Sequence, residues 1–466
     1  MIKSSKLSLV ALVATVLAAT LNIEPVQSTS SPKTVCYYEY WVHWRTGDGK
    51  QDPSEIDYTL CTHIVYSYMG IDGGTHEIKL LDPYLMNDLH DIDKFAKAKG
   101  NSKALVSVGG AAASSQFSIT VSVDSYRTAF VNSVVSFISS HNFDGVILDW
   151  SGMTASDNAH FIALLDKFDE KLANTPYTLA VTVPASLNTA AYNVPKIAQY
   201  VDFINVIAHD YAGPWSKQVG HASLLSHALS TMEAYHKAGA PRSKLVMSVP
   251  AFARTWRLAN PAKQDIGDEA LGGGEKGPYT QVEGLLSYNE LCVLMRAHVS
   301  QFSLVRDPAE HAVYAVYLRD SGHAEWLSFE DSKSLAFKAD NVTRSGYAGL
   351  SVYSISNEDV HGVCGQKNPL LHAINAHYWR GAVTEGPTPP NHFTPGPTEA
   401  PVTFPPKVFH CTKQGKFRDP VYCFKYYDCE KGEFGGFEST VFYCERHQAW
   451  DEHAQKCVDA KTVPGC

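Results

Sequence analysis

A chain of 466 residues with 44% apolar and 19% charged side chains has an ordinary globular balance, long enough for one large domain and a smaller one. Its formal net charge of −9 speaks against nucleic acid or an anionic membrane as partner, because both require basic patches. Ten cysteines point to disulfides if the chain is exported.

Export is what the N-terminus predicts. Lys3 and Lys6 precede an apolar run from Leu7 to about Leu21, followed by Val26-Gln27-Ser28. The run is short for a membrane span and has no stop-transfer flank, so residues 1–28 are read as a cleaved signal peptide and the chain as secreted and extracellular.

Strand-like runs then recur along the chain: Thr34–Tyr38, His63–Met69, Ala104–Val108, Gly145–Trp150, Thr178–Val183, Phe203–Ala208, Leu245–Val249 and Gly349–Tyr353. Helical patterns lie between them, such as Ser125–Ser139 and Asn158–Leu172. This alternation predicts an α/β fold, a (β/α)₈ TIM barrel. The long gap before the last strand holds Gly272-Gly273-Gly274, a helix-like Tyr288–Ala297 and a strand-like Val313–Leu318, and is assigned to a small α+β insertion over about 257–340. In the fourth strand, Val146 and Leu148 fall on one face and Ile147 and Asp149 on the other, with Asp149 near the C-terminal end where such barrels gather their chemistry.

Pro and Thr dominate from about 382 to 406, the composition of an extended linker. Asn341-Val342-Thr343 is an N-glycosylation sequon. The final segment, 407–466, holds six of the ten cysteines: Cys411, Cys423, Cys429, Cys444, Cys457 and Cys466. It is too small for a large core, so disulfides are expected to replace one in a small β module. No Cys-x-x-Cys pair suggests zinc. The domains expected are thus 1–28 signal, 29–381 barrel, 382–406 linker and 407–466 module.

The stretch Asp144-Gly145-Val146-Ile147-Leu148-Asp149-Trp150-Ser151 resembles the fourth-strand motif Asp-Gly-x-Asp-x-Asp-x-Glu of glycoside hydrolase family 18, the chitinases. Asp144, Gly145, Asp149 and Trp150 match; Ile147 replaces the middle Asp, and Ser151 stands where the proton-donating Glu belongs. The resemblance implies substrate-assisted hydrolysis, in which the Glu protonates the leaving oxygen and the substrate's acetamido group attacks the anomeric carbon. A serine hydroxyl is too weak an acid and too short for that role, and loss of a general acid typically costs about 10²–10⁴-fold in rate.

Other positions of the family pattern have drifted as well. Phe203–Asp210 resembles the sixth-strand motif, keeping Asn205 and Asp210 but placing Ile207 and His209 where Met and Tyr are expected. Ala111 follows Gly109-Gly110 where a Trp belongs, Tyr353 takes the place of the floor Trp, and Arg254 is retained. Tyr37, Trp41 and Trp215 match cleft positions, and Cys36 and Cys61 match a disulfide pair; the resemblance also implies the pair Cys292–Cys364. The resemblance covers about Thr34 to Tyr378. The phrase Ser356–Gly365 is similar to the chitinase-like group 18 allergens of mites, and allergenicity is implied by that resemblance alone.

Asp144, Ile147, Asp149, Ser151, His209 and Asp210 therefore make up a degenerate catalytic site, in which Asp144, Asp149 and Asp210 are kept but the acid is not. Asp149 and Asp210 can equally form a buried hydrogen-bonded set kept for folding. No cofactor and no metal are expected, since His209 with Asp149 and Asp210 is a weak ligand set.

The C-terminal segment resembles the peritrophin-type chitin-binding module, carbohydrate-binding module family 14, through Tyr426-Tyr427-Asp428-Cys429 and Trp450-Asp451, although Glu445 rather than Pro follows Cys444. That resemblance implies the pairs Cys411–Cys429, Cys423–Cys466 and Cys444–Cys457; sequence alone leaves fifteen connectivities open. It also implies sugar contact through Tyr426, Tyr427 and Trp450, with Trp450 as core the competing reading. The expected protein is a secreted chitin-binding monomer, probing chitin or N-acetylglucosamine polymers, with a barrel that has lost its hydrolase activity. A glycosidase with residual or altered activity, and a chitinase-like lectin acting in signalling or immune interaction, are the alternatives.

Overall fold

A computed structural model describes residues 31–378, 408–445 and 447–466. The signal segment 1–28 and the linker 382–406 lie outside these residues. Seven parallel strands come first: β1 (Lys33–Glu39), β2 (His63–Ile71), β3 (Lys103–Gly109), β4 (Gly145–Asp149), β5 (Thr178–Val183), β6 (Phe203–Ile207) and β7 (Leu245–Pro250). Four antiparallel strands follow: β8 (Phe252–Leu258), β9 (Phe302–Arg306), β10 (Val313–Leu318) and β11 (Ala324–Phe329). The chain then returns through β12 (Gly349–Tyr353), which pairs in parallel with both β7 and β1 and closes an eight-stranded barrel.

Period-two alternation fills the barrel. Val35, Tyr37, Val65, Leu105, Ile147, Ala180, Phe203 and Val246 form the inner cluster, while Val146 and Leu148 join the outer layer packed against helices. The inner cluster also holds a polar chain: Asn205 Nδ2 donates to Tyr37 Oη at 3.0 Å, and Ser351 donates to Asn205 Oδ1 at 2.5 Å. Gly145 opens β4 because a Cβ there would lie 2.1 Å from the Thr178 carbonyl oxygen.

Helix α1 (Asp124–Ser140) and helix α2 (Asn158–Leu172) cover one side of the barrel. A capping box between Thr154 and Asp157 starts the second, and Phe161, Leu164, Leu165, Phe168 and Leu172 make its buried stripe at helical spacing. In the insertion, α3 (Tyr288–Ala297) starts at a second capping box, Ser287 with Glu290. The antiparallel sheet already begins at Phe252 and ends at Phe329, because β8 pairs with β11 from Arg254–Ser328 onward. Within the span expected for the insertion, α4 (Ser332–Arg344), capped by Asp331, packs beside α5 (Pro369–Tyr378) and β12.

The C-terminal segment adds β13 (Gly415–Arg418), β14 (Lys425–Lys431) and β15 (Phe437–Tyr443), an antiparallel meander, then a hairpin of β16 (Gln448–Asp451) and β17 (Lys456–Asp459). It does not stand apart. β15 pairs in parallel with β9, Leu304 opposite Glu438 and Arg306 opposite Thr440, so the insertion sheet runs on into the C-terminal segment. Val305, Tyr427 and Val441 form a small apolar core across the join. Buried charges flank it: Arg306 bonds Asp331 and, at 3.3 Å, Glu438, while Lys333 bonds the other oxygen of Glu438. Tyr288 and Ser332 donate to Glu433 at 2.8 and 2.9 Å.

Five disulfides join Cys36–Cys61, Cys292–Cys364, Cys411–Cys429, Cys423–Cys466 and Cys444–Cys457. The first ties β1 to the loop before β2, and the second ties α3 to the loop after β12. The last three replace the core that so short a segment lacks.

Candidate functional site

The C-terminal ends of the barrel strands open into a cleft of about 570 Å³, walled by Trp41, Trp44, Asp210, Phe252, Arg254, Tyr279 and Tyr353. Both the barrel and the insertion supply these walls, because β8 leaves β7 at the strand ends and Tyr279 comes from the insertion. Trp41 stacks on Tyr68, ring centroids 6.2 Å apart. Arg254 grips Asp210 with two bonds, Nε to Oδ1 at 2.8 Å and a terminal nitrogen to Oδ2 at 2.7 Å. Burial alone would raise the Asp210 pKa, but the bonds from Arg254, with His209 alongside, hold it well below the ordinary carboxylate range. The guanidinium also lies 5.2 Å from the Trp215 ring, which is 62% exposed. Gly213 permits that indole to fold back, since a Cβ there would lie 2.2 Å from it.

At the end of β4 the geometry is different. Asp149 is buried, and burial pushes its pKa up to about 7 against a hydrogen bond from Tyr68 that draws it down. Its backbone carbonyl accepts from Gly110 N at 2.7 Å and from Ser114 Oγ at 3.2 Å. Ile147 sits fully buried in the inner cluster. Ser151 lies past the strand end, exposed, its N–H donating to Ser114 Oγ at 2.9 Å. Asp144 is at the opposite end of β4, where one of its oxygens, Oδ2, accepts from Lys99 and from Ala104 N at 2.8 Å each. It ties loops together and is remote from the cleft.

His209 is buried, its Nε2 3.3 Å from Ser248 Oγ and its Nδ1 3.7 Å from Asp210. Its ring lies nearly parallel to Tyr353, which in turn meets Tyr37 edge-on at 5.6 Å. Both nitrogens face protein, so the imidazole is placed to hold Asp210 and the barrel wall rather than to reach a leaving oxygen. Among the described residues, Asp149, His209 and Asp210 are not one of the groups whose ligand atoms converge within 4.8 Å.

Two residues of this site escaped the sequence reading. Tyr68 bonds Asp149 and lies under Trp41; Glu39 is buried at the end of β1, where burial raises its pKa against the charge of Arg45 and a bond from Asn357. The available signal was position: both stand at the C-terminal ends of barrel strands.

Because the ordinary Asp value is 3.8 and the folded value for Asp149 about 7, the folded chain keeps a proton that the unfolded chain releases between those limits. The stability linked to Asp149 is full below pH 3.8 and is lost as pH rises through about 7. Asp149→Asn is expected to raise the thermal unfolding midpoint at pH 8 while changing it little at pH 4; an equal shift at both pH values would contradict the assignment.

In the C-terminal segment, two of the three rings expected to contact sugar, Trp450 and Tyr427, are buried. Trp450 is 3% exposed and lies flat on Tyr426, ring centroids 3.8 Å apart, and Tyr427 is buried with its hydroxyl donating to Asp419 at 2.7 Å. Tyr426 gives its other neighbour contact to Phe442, at 5.3 Å. A segment with so few apolar residues needs these rings as core, which leaves them no free face for a sugar. Trp450→Ala is expected to cost about 3–5 kcal/mol and to unfold the segment locally, read as protease sensitivity of 408–466 in the full chain. Asn341 is half-buried in α4, where its amide donates to the Phe337 carbonyl at 2.8 Å rather than standing out in a loop.

The sequence profile of the glycosyl hydrolases family 18 matches residues 33–358, most of the barrel and all of the insertion. The chain is 56% identical to the chitinase-like mite allergen Der p 18.0101 of Dermatophagoides pteronyssinus over 96% of both chains. It is 30% identical to an endochitinase of Manduca sexta, over 80% of this chain and 72% of that one. Among solved structures, the Group IV chitinase of Ostrinia furnacalis in complex with allosamidin superposes with a TM-score of 0.71 at 31% identity, over 76% of this chain and all of that one. Human YKL-39, described as a pseudo-chitinase with retained chitooligosaccharide binding, superposes with a TM-score of 0.67 at 27% identity, over 74% of this chain and 99% of that one. With a closed barrel, an inserted sheet walling the cleft and matches of this extent, the chain belongs to the family 18 glycosyl hydrolases.

Proposed function

We propose that this is a secreted chitin-binding protein whose barrel has lost chitin hydrolysis. The observation that carries the reading is the end of β4: an exposed Ser151 in the acid position beside a buried Asp149, with an apolar Ile147 behind it. The residue in the acid position, Ser151, cannot protonate a leaving oxygen. A serine hydroxyl does not ionise usefully near neutral pH, and His209 is turned to Ser248 and Asp210.

The binding half of the family's machinery is better kept. Trp41, Tyr353 and Phe252 give the cleft apolar ring surface, and the Arg254–Asp210 pair fixes one wall. A sugar ring has an apolar C–H face and a polar edge, and aromatic walls with a few fixed polar groups suit both. YKL-39, which shares the fold, keeps chitooligosaccharide binding as a pseudo-chitinase. The C-terminal segment, with its three disulfides, acts as a chitin-binding module that holds the barrel on the polymer.

The test uses the full chain, oxidised and free of contaminating chitinase. It is expected to be retained on chitin and to release no product from N-acetylglucosamine oligomers. Turnover near that of an active family 18 enzyme would return it to the hydrolases, and failure to bind chitin would remove the binding reading.

A further inference from the structure

A second concavity, of about 300 Å³, lies where the insertion meets the C-terminal segment. Its floor and one wall come from the insertion, through Asp265, Ile266, Asp307 and Tyr314, and from His221 in the barrel loop after β6. The other wall is a cluster of rings on the C-terminal segment. Tyr422, Phe424 and Tyr443 are 47%, 47% and 64% exposed, with centroids 5.7 Å apart for the first pair and 6.3 Å for the second. Phe424 and Tyr443 lie nearly parallel, inclined by 28°, and both are exposed at the cavity. These are the surplus aromatics that the burial of Trp450 and Tyr427 leaves over.

The polar groups are set around those rings. Lys425 reaches Asp265 at 3.6 Å across the join and Asp419 at 3.5 Å. His221 is 7% exposed, lines the cavity and meets Tyr314 and Trp326 edge-on. Its Nε2 is buried without a hydrogen-bond partner. A buried imidazole nitrogen left unpaired costs free energy, and a ligand hydroxyl or amide would pair it. Burial lowers the His221 pKa to about 4, so the ring is neutral and can offer Nε2 as donor or acceptor. In the lining, Asp265 and Asp307 balance Lys425 and Arg306, and Arg306 is already held by Asp331 and Glu438, which suits an uncharged ligand rich in hydroxyls better than an anion.

We infer that this seam is a second carbohydrate site, built jointly by the insertion and the C-terminal segment, which takes β-1,4-linked N-acetylglucosamine units of a chitin chain. The sugar identity rests on the chitin-binding reading above; the site itself rests on the cavity, the exposed rings and His221. One ring of the chain stacks on Phe424 and Tyr443, and its polar edge turns to His221 Nε2 and the Asp265 carboxylate. Because both walls are needed, the site exists only while β9 and β15 remain paired.

A photoactivatable N-acetylglucosamine tetramer, cross-linked to the full chain and mapped by mass spectrometry, separates this seam from the barrel cleft. Labelled peptides carrying Ile266 and Tyr443 are expected, in addition to any from the cleft. Phe424→Ala/Tyr443→Ala removes only exposed rings, and it should abolish the seam label while leaving any cleft label in place. His221→Phe keeps the ring volume without the nitrogen and should weaken seam labelling about tenfold. If the unaltered chain binds neither chitin nor the tetramer, the chitin-binding reading fails and takes the sugar identity with it. If it binds and the seam stays unlabelled, or the double variant labels as before, the seam proposal alone is overturned. Loss of label in the double variant with none in His221→Phe would confine the site to the C-terminal segment and refute its joint construction.

Discussion

Ser151→Glu is expected to leave hydrolysis of N-acetylglucosamine oligomers at least about a hundredfold below that of an active family 18 enzyme. Restoring the carboxyl supplies an acid but not its setting. Ile147 is buried among Val65, Leu105 and Ala180, so Asp149 has no second carboxyl with which to share a proton. Asp149, pushed up to about 7, is only partly ionised at neutral pH and is a poor acceptor for an acetamido N–H. The tyrosine that would steady the acetamido carbonyl is His209, buried against Ser248 and Asp210. Ala111 is exposed and provides no ring. Since holding the reacting groups in place accounts for a large part of such rates, one restored side chain gives partial recovery at most. The measurement is kcat/KM on a chromogenic oligomer, and full recovery by the single substitution would show the other departures to be neutral.

Arg306→Met is expected to destabilise the join between insertion and C-terminal segment by about 3–5 kcal/mol, since it strands two buried carboxylates. Arg306 is buried between Asp331 and Glu438, themselves almost wholly out of solvent. Asp331 retains its duty as the cap of α4, accepting from Ser334 N at 2.8 Å, and Glu438 retains only Lys333. The loss should appear as an earlier thermal transition and as faster proteolysis at 408–466. Adding Asp331→Asn and Glu438→Gln removes the stranded charges, keeps a cap, and should recover most of the loss. An unchanged transition for Arg306→Met would mean that the join does not depend on this cluster.

The barrel was legible because its strands alternate and its helices carry stripes. Thr178–Val183, Gly349–Tyr353 and the helix Asn158–Leu172 have the same bounds in sequence and structure. The assignment of Ser151 to the acid position rests on its register with Gly145 and Asp149 on one strand. What stayed hidden depends on contacts between distant parts of the chain. Nothing local in Phe302–Arg306 announces a parallel partner at 438–440. Trp450 stayed open between contact and core, and Tyr427 read as a contact, because aromatic count does not say which rings a disulfide segment buries. Tyr68 and Glu39 are ordinary strand residues until the barrel closes and brings them beside Asp149 and Arg45. The change of sheet is hidden for a related reason: β8 follows β7 with a single residue between them, so no break in composition marks it.

Pairing between β9 and β15 also settles the fate of a lateral row of N–H and C=O groups. Strand Phe302–Arg306 borders β10 on one side and the C-terminal segment on the other. A chain clipped after residue 378 would uncover that second side, together with Val305 and an Arg306 deprived of Glu438. An open, apolar strand border is a template for adding strands from neighbouring copies, the route to aggregates. The C-terminal segment is thus a guard against self-association, and fragments of the barrel alone would be expected to clump for a reason that has nothing to do with chitin.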